Sequence, residues 1–154
     1  MDPSLSELYG NRVRVRVCGV CWRDDSLLMV NHKGIMPGHF WAPPGGGVAP
    51  GESVDDCLRR EFVEETGLEV HVGRFMFACE FIRDPLHAIE LFFEVSISGG
   101  TLQKGDDPEF PIIDEVRFMP VAEISALSNE HRHGIFRMIH SPGDLKTLTG
   151  FFRI

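Results

Sequence analysis

Hydrophobic and polar positions change rhythm several times along the chain. Residues 12–17, RVRVRV, alternate strictly, which is the period of a strand with one apolar face. That face would carry Val13, Val15 and Val17, and the other Arg12, Arg14 and Arg16. The run extends to about Trp22, RDDS (23–26) predicts a turn, and LLMVNH (27–32) a returning strand, so the pair reads as a hairpin. The stretch 33–53 is crowded with Gly and Pro and predicts mostly loop. Loops of that length tend to be functional. Helical rhythm sets in over 53–66, with Ser53 as N-cap, Asp55 and Asp56 at the positive end of the dipole and Gly67 as the stop. Strands are predicted over 68–83, with a kink or bulge near Gly73, and over 87–98, joined through RDPL. A loop follows over 99–111, then a short strand over 114–120. PVAEISALS and NEHRHGIFRMIH suggest two short helices, Asn129 capping the second, and the tail 141–154 is read only as ending in a strand. With no internal repeat, low-complexity tract or linker, the whole of 1–154 reads as one mixed α/β domain.

The helix over 53–66 carries an unusual concentration of acid. At about 100° per residue, Glu61, Glu64 and Glu65 share an arc of roughly 100°. Val54, Cys57 and Leu58 fall in the same arc, whereas Asp55, Asp56, Arg59 and Val63 lie opposite. A solvated acidic face would place the apolar stripe on the other side. Here one stripe is apolar in its first half and acidic in its second, so the glutamates line a cleft beside the core. A helix of solvated charge pairs is the bland alternative that stays open from this helix alone, and the inward geometry weighs against it. Carboxylates clustered out of water need a positive partner. Arg60 borders the arc and reaches Glu64 at i+4, but one arginine cannot balance three glutamates. A divalent cation can, and all-oxygen ligands favour Mg²⁺ or Mn²⁺ over zinc.

Composition narrows the partners. The net charge of −8 argues against binding a nucleic-acid polymer or an anionic membrane, both of which want a basic surface. No stretch approaches the length of a membrane span and the N-terminus has no signal-peptide pattern, so a cytoplasmic location is expected. Cys18 and Cys21 form a C-x-x-C inside a strand, without the second ligand pair of a zinc site, and together with Cys57 and Cys79 read as core thiols. Trp41 and Phe40 offer aromatic rings for stacking on a base, although packing is as common beside a Gly-Pro loop. Arg83 and His87, where two strands meet, are candidates for phosphate contact, with exposed turn charge the commoner reading. His131 and His133 are two residues apart, which does not bring them to one helix face, so they read as surface residues.

The spacing around the acidic helix also forms a motif. Gly46, Glu52 and then Arg60-Glu61-Phe62-Val63-Glu64-Glu65-Thr66-Gly67-Leu68 satisfy G-x5-E-x7-R-E-U-x-E-E-x-G-U at every defined position, U being a bulky apolar residue. This resembles the signature of the Nudix hydrolases, and the order of elements around it is similar too. Pro43 and Gly47 are the departures nearby, and neither touches a defined position.

The resemblance implies an α/β/α sandwich with a mixed β-sheet. It also implies metal-dependent hydrolysis of a pyrophosphate bond in a small nucleotide, such as a nucleoside diphosphate linked to another group or a nucleoside triphosphate. Glu61, Glu64 and Glu65 match the family's metal-binding carboxylates. Gly46 matches a glycine whose carbonyl joins the metal shell, and Glu52 and Arg60 match positions that support the site by salt bridging. The group that deprotonates water varies in the family. Glu61 and Glu64 are candidates within the motif; Glu109, Asp114 and Glu115 are later ones, with Glu115 favoured. Trp41 and Arg83 are the candidates for substrate contact, and a homodimer is one form the resemblance allows. A non-hydrolytic sensor of nucleotide sugars is the alternative from another class, and an isomerase on the same fold is a third; the intact acidic set speaks against the sensor.

Overall fold

The computed structural model describes residues 4–32, 38–103 and 113–154. A short helix α1 (Leu5–Tyr9) precedes strand β1 (Arg14–Val20). Next come β2 (Trp22–Arg23), β3 (Ser26–His32), β4 (Trp41–Ala42) and β5 (Gly45–Gly47), then helix α2 (Val54–Thr66). Two long strands, β6 (Leu68–Arg83) and β7 (Leu86–Gly100), are followed by β8 (Ile113–Pro120) and helix α3 (Val121–Ala126). Three 3-10 turns, Asn129–His131, Gly134–Arg137 and Pro142–Thr147, lead to β9 (Gly150–Arg153).

The strands form two sheets. A mixed five-stranded sheet has the order β5-β1-β7-β6-β9, with β1 parallel to β7 and β9 parallel to β6. In the second, β3 is flanked by β4 and β8 and also pairs with β2, antiparallel throughout. Helix α2 lies against one face of the five-stranded sheet, where Cys57, Leu58 and Phe62 pack with Val17, Val70 and Val95. On the other face Ile124 of α3 and Ile135, Phe136 and Leu145 of the turn segment pack with Cys18, Phe77 and Phe92. These layers are the expected α/β/α arrangement around a mixed sheet.

Local chemistry explains the boundaries of α2. The Ser53 hydroxyl accepts from the Asp56 N–H at 3.1 Å, and Gly67 takes φ 73°, a left-handed stop that a side chain would resist. Asp55, Asp56, Arg59 and Val63 are exposed while Glu61 and Glu65 are buried, as the helical phase predicts.

Several expectations are corrected. The 12–22 run does not hairpin as a whole with 27–32. It changes sheets at Cys21: β1 follows β7, and only Trp22 and Arg23 pair with Leu27 and Ser26. The alternation of RVRVRV is right in period and too long in extent. Val17 is wholly buried, but Val13 and Val15 are 54% and 44% exposed, beyond the part of the sheet packed beneath α2. The 33–53 loop contains β4 and β5, which sequence propensity hid because β5 is three glycines. The strand over 87–98 runs on to Gly100, so Gly99 and Gly100 leave the predicted loop and pair with Glu69 and Leu68. The segment NEHRHGIFRMIH is two separate turns instead of one helix, and Ser128, not Asn129, is the N-cap of the first. The bulge near Gly73 and the strand at the tail's end are present, and all four cysteines are free and buried.

Candidate active site

The site is built where β5 meets α2. Gly46 pairs with Val17 of β1, and its α-carbon faces the Glu61 carboxylate so closely that a methyl group there would collide with it. The adjacent Gly45 N–H donates to Glu65 Oε1 at 2.8 Å, which ties the glycine strand to the last turn of the helix. Glu61 is 1% exposed and Glu65 fully buried, so the inward direction of the acidic arc is a fact of the fold. Glu64 is the open member, its side chain 32% exposed.

Arg60 organises the rest. Its Nε and Nη2 form a fork on Glu52, at 2.8 and 2.9 Å. Its Nη1 sits between two acids, 3.0 Å from Glu61 Oε1 and 3.1 Å from Glu64 Oε2. Glu52 also accepts from the Ala49 N–H at 3.2 Å, so the loop entering the helix is held through the same carboxylate. The Arg60 guanidinium's hydrogen bonds hold the Glu52 carboxyl down at about 2, against the effect of burial. The Glu52 bond in turn raises Arg60; burial opposes this and the charges of Glu61 and Glu64 add to it. The cluster therefore keeps an excess of acid: Glu52, Glu61, Glu64 and the neighbouring Glu65 against one guanidinium.

The donor set fits a hard divalent cation in its chemistry, since every side-chain donor is a carboxylate oxygen and the glycine strand brings main chain against Glu61. Geometry adds a qualification. Among the described residues no three His, Cys, Asp or Glu side chains stand close enough together to hold an ion as they are placed. Arg60 Nη1 and Gly45 N–H take part of the acids' capacity instead.

The structure separates the other candidates from this cluster. Val116 and Phe118 of β8 pack with the α2 cluster, so strand alternation turns Glu115 and Arg117 to the opposite face. There the Glu115 carboxylate pairs with Arg117 Nε at 2.9 Å, and Arg117 also bonds to Glu123. This counts against Glu115 as the base, and the sequence had no means of fixing which face of the strand it occupies. Trp41 is 6% exposed, packs in the core and lies under the Arg117 guanidinium, with 5.4 Å to its ring centroid. Its ring is therefore covered, which corrects the expectation of an open stacking surface. Arg83 is exposed at the β6–β7 turn, five residues along β6 from Ala78, which shares a row of the sheet with Gly46, Val17 and Leu91. His87 bonds to Glu80 at 3.2 Å. Glu109 lies outside the described residues, as does the side chain of Asp114.

A second charged cluster went unpredicted. Glu90 of β7 is 4% exposed and accepts from His133 Nε2 at 2.7 Å, from Arg16 Nη1 at 3.0 Å and from the Cys18 thiol at 3.7 Å. His133 Nδ1 accepts from the Ile135 N–H, so it is the other ring nitrogen that donates to Glu90. His133 is buried, which corrects its reading as a surface residue: it lies in the extended link between two 3-10 turns. Burial pushes the Glu90 carboxyl up; the His133 ring, the Arg16 guanidinium and the Cys18 thiol outweigh it and hold it at about 2. Burial and the nearby Arg16 charge lower His32 to about 4. The signal was present in HAIELFFEV, where strand alternation puts Glu90 in phase with Ala88 and Phe92.

Comparison with known proteins agrees with this geometry. The model of the NUDIX domain matches residues 10–140. An ADP-ribose pyrophosphatase of Methanocaldococcus jannaschii is 32% identical over 119 residues, which cover 76% of this chain and 68% of that protein. A nucleoside triphosphatase NudI of Salmonella heidelberg is 46% identical over 59 residues, 36% of this chain and 41% of the relative's length. Among solved structures, a NUDIX hydrolase from Nitrosomonas europaea superposes with a TM-score of 0.72 at 21% identity, covering 82% of this chain and 85% of that one. A UDP-X diphosphatase superposes at 0.69 with 17% identity, covering 95% and 71%. At such identities the structural likeness concerns the fold alone.

Proposed function

Since the chain belongs to the Nudix family and is a pyrophosphohydrolase, we propose that it hydrolyses a nucleoside diphosphate linked to another group, with Mg²⁺ or Mn²⁺ held at the β5–α2 junction. The observation that carries this reading is the buried acidic arc of α2 set against Gly46, with carboxylates in excess of cations. Glu61, Glu64 and the Gly46 carbonyl would hold the metal, and Glu65 would join them on release from Gly45 N–H. When bound, the metal supplies charge that shields the phosphate oxygens and lowers the pKa of water.

The protein's own residues do the rest. Gly46 lets the strand lie against Glu61, which fixes both on rigid elements. Glu52 and Arg60 hold the loop and helix in register. Glu64, the member of the acidic arc most open to solvent, accepts the proton of the attacking water. The name of the Methanocaldococcus relative favours ADP-ribose or a similar derivative. The NudI match favours a nucleoside triphosphate as the second reading, and it rests on a shorter segment.

A panel of both nucleotide classes with Mg²⁺ and with Mn²⁺, repeated on Glu64→Gln, tests the proposal. The variant should keep its fold and lose about 10²–10⁴-fold in turnover, the usual contribution of a positioned base. Undiminished turnover would remove Glu64 from this role.

A further inference from the structure

One nitrogen of Arg60 touches both Glu61 and Glu64, at 3.0 and 3.1 Å. The other two nitrogens are engaged by Glu52. The first contact set lies between acids of the proposed metal site, and the second anchors the guanidinium to the loop. Mg²⁺ draws its oxygens in to about 2.0–2.1 Å, so an N–H donor shared by Glu61 Oε1 and Glu64 Oε2 would compete with it for those two atoms. Arginine cannot clear the position by losing a proton. At those two atoms it must yield to the metal, and the Glu52 fork would keep it within reach while Nη1 lets go.

We propose that Arg60 is a tethered stand-in cation, which holds Glu61 and Glu64 together when no metal is bound and competes with the metal for them. This rests on the metal reading of the same site. Like charges on adjacent turns repel, so without a cation the two side chains would separate. Arg60 thus prepares the site and weakens its affinity at the same time. A purely structural arginine would prepare the site without competing for it: its loss would disorder the acids and weaken metal binding.

Mn²⁺ binding, followed by the electron paramagnetic resonance of the free ion, separates these cases without any turnover. Metal-free and Mn²⁺-loaded melting temperatures are read in parallel. Arg60→Gln should bind Mn²⁺ about ten-fold more tightly, the direction expected on removing a fixed positive charge a few ångström away. Its metal-free melting temperature should fall, and the rise on adding Mn²⁺ should grow. Arg60→Lys, which keeps a charge but not the fork, serves if Arg60→Gln does not fold and should bind no more weakly than the parent. Equal or weaker binding by Arg60→Gln, or weaker binding by Arg60→Lys if that substitute is needed, would overturn the proposal. Absence of Mn²⁺ binding by the parent protein, with Glu64→Gln as the control, would instead overturn the metal reading beneath it.

Discussion

Two charged clusters stand near the same strand, and they are built on opposite principles. Around Glu90, one buried carboxylate meets a half-buried guanidinium, a buried imidazole and a buried thiol. Around Arg60, one guanidinium meets three carboxylates, with a fourth beside them, and Glu64 keeps a path to water. Arg16 of the first cluster pairs in register with Gly47, whose carbonyl lies beside Arg60 in the second. The balanced cluster is complete and fastens the turn segment to the sheet through His133. The unbalanced one carries more acid than its single guanidinium offsets, and that excess is what the proposed cation would meet. Burial alone does not distinguish them, since Glu61, Glu65 and Glu90 are all hidden from solvent. The ratio of acids to donors does.

The largest way to break this contrast is to truncate the balanced side. Glu90→Ala leaves Arg16 and His133 without their shared acceptor and should cost about 3–5 kcal/mol of stability, read by denaturant unfolding. Its turnover per folded molecule should stay close to that of the parent, whereas a loss of turnover as large as that of Glu64→Gln would mean that the clusters are one machine. Gly46→Ala comes next. The added methyl must displace the Glu61 carboxylate, at a cost of about 1–3 kcal/mol. Here turnover should fall further than stability implies, and equal activity would detach Gly46 from the site.

Acid sharpens the contrast further. His32 has its folded value depressed from 6.5 to about 4, so its contribution is full above pH 6.5 and is lost as pH falls toward 4. Glu90 and Glu52 are both depressed from 4.5 to about 2, so theirs is full above pH 4.5 and lost between there and pH 2. In unfolding measured against pH, His32→Gln should flatten the upper window, and Glu90→Gln and Glu52→Gln the lower one. Added salt should shrink the Glu52 part and spare the buried pair. The smallest effect concerns Glu64→Gln without metal. It loses one attraction to Arg60 and one repulsion from Glu61, so its stability should move by less than about 1 kcal/mol. A larger gain in stability would show that acid crowding dominates there.

The acidic helix was legible in the sequence for a physical reason. Its caps, its phase and its motif are all local, and helical period fixes direction relative to the core. Arg60 reaching Glu64 follows from i,i+4 spacing alone. The Glu90 cluster draws on residues 16, 18, 90 and 133, brought together by a parallel β1–β7 pairing that no local pattern encodes. The surroundings of Trp41 and Glu115 were hidden for a similar reason: both lie in the second sheet, where Arg117 folds over one and pairs with the other. A strand of three glycines has no side chains to announce it, so β5 was found only in the fold.

Strand β9 has a consequence for handling the protein. It lies parallel on the outer edge of β6 along Phe77–Glu80, and Ile154 N–H donates to the Glu80 carbonyl. Without those few residues β6 would present a row of unsatisfied amides and carbonyls, beside the half-open rings of Phe75 and its neighbours. Such an edge recruits other strands, so the closing segment guards against self-association as much as it adds to the sheet.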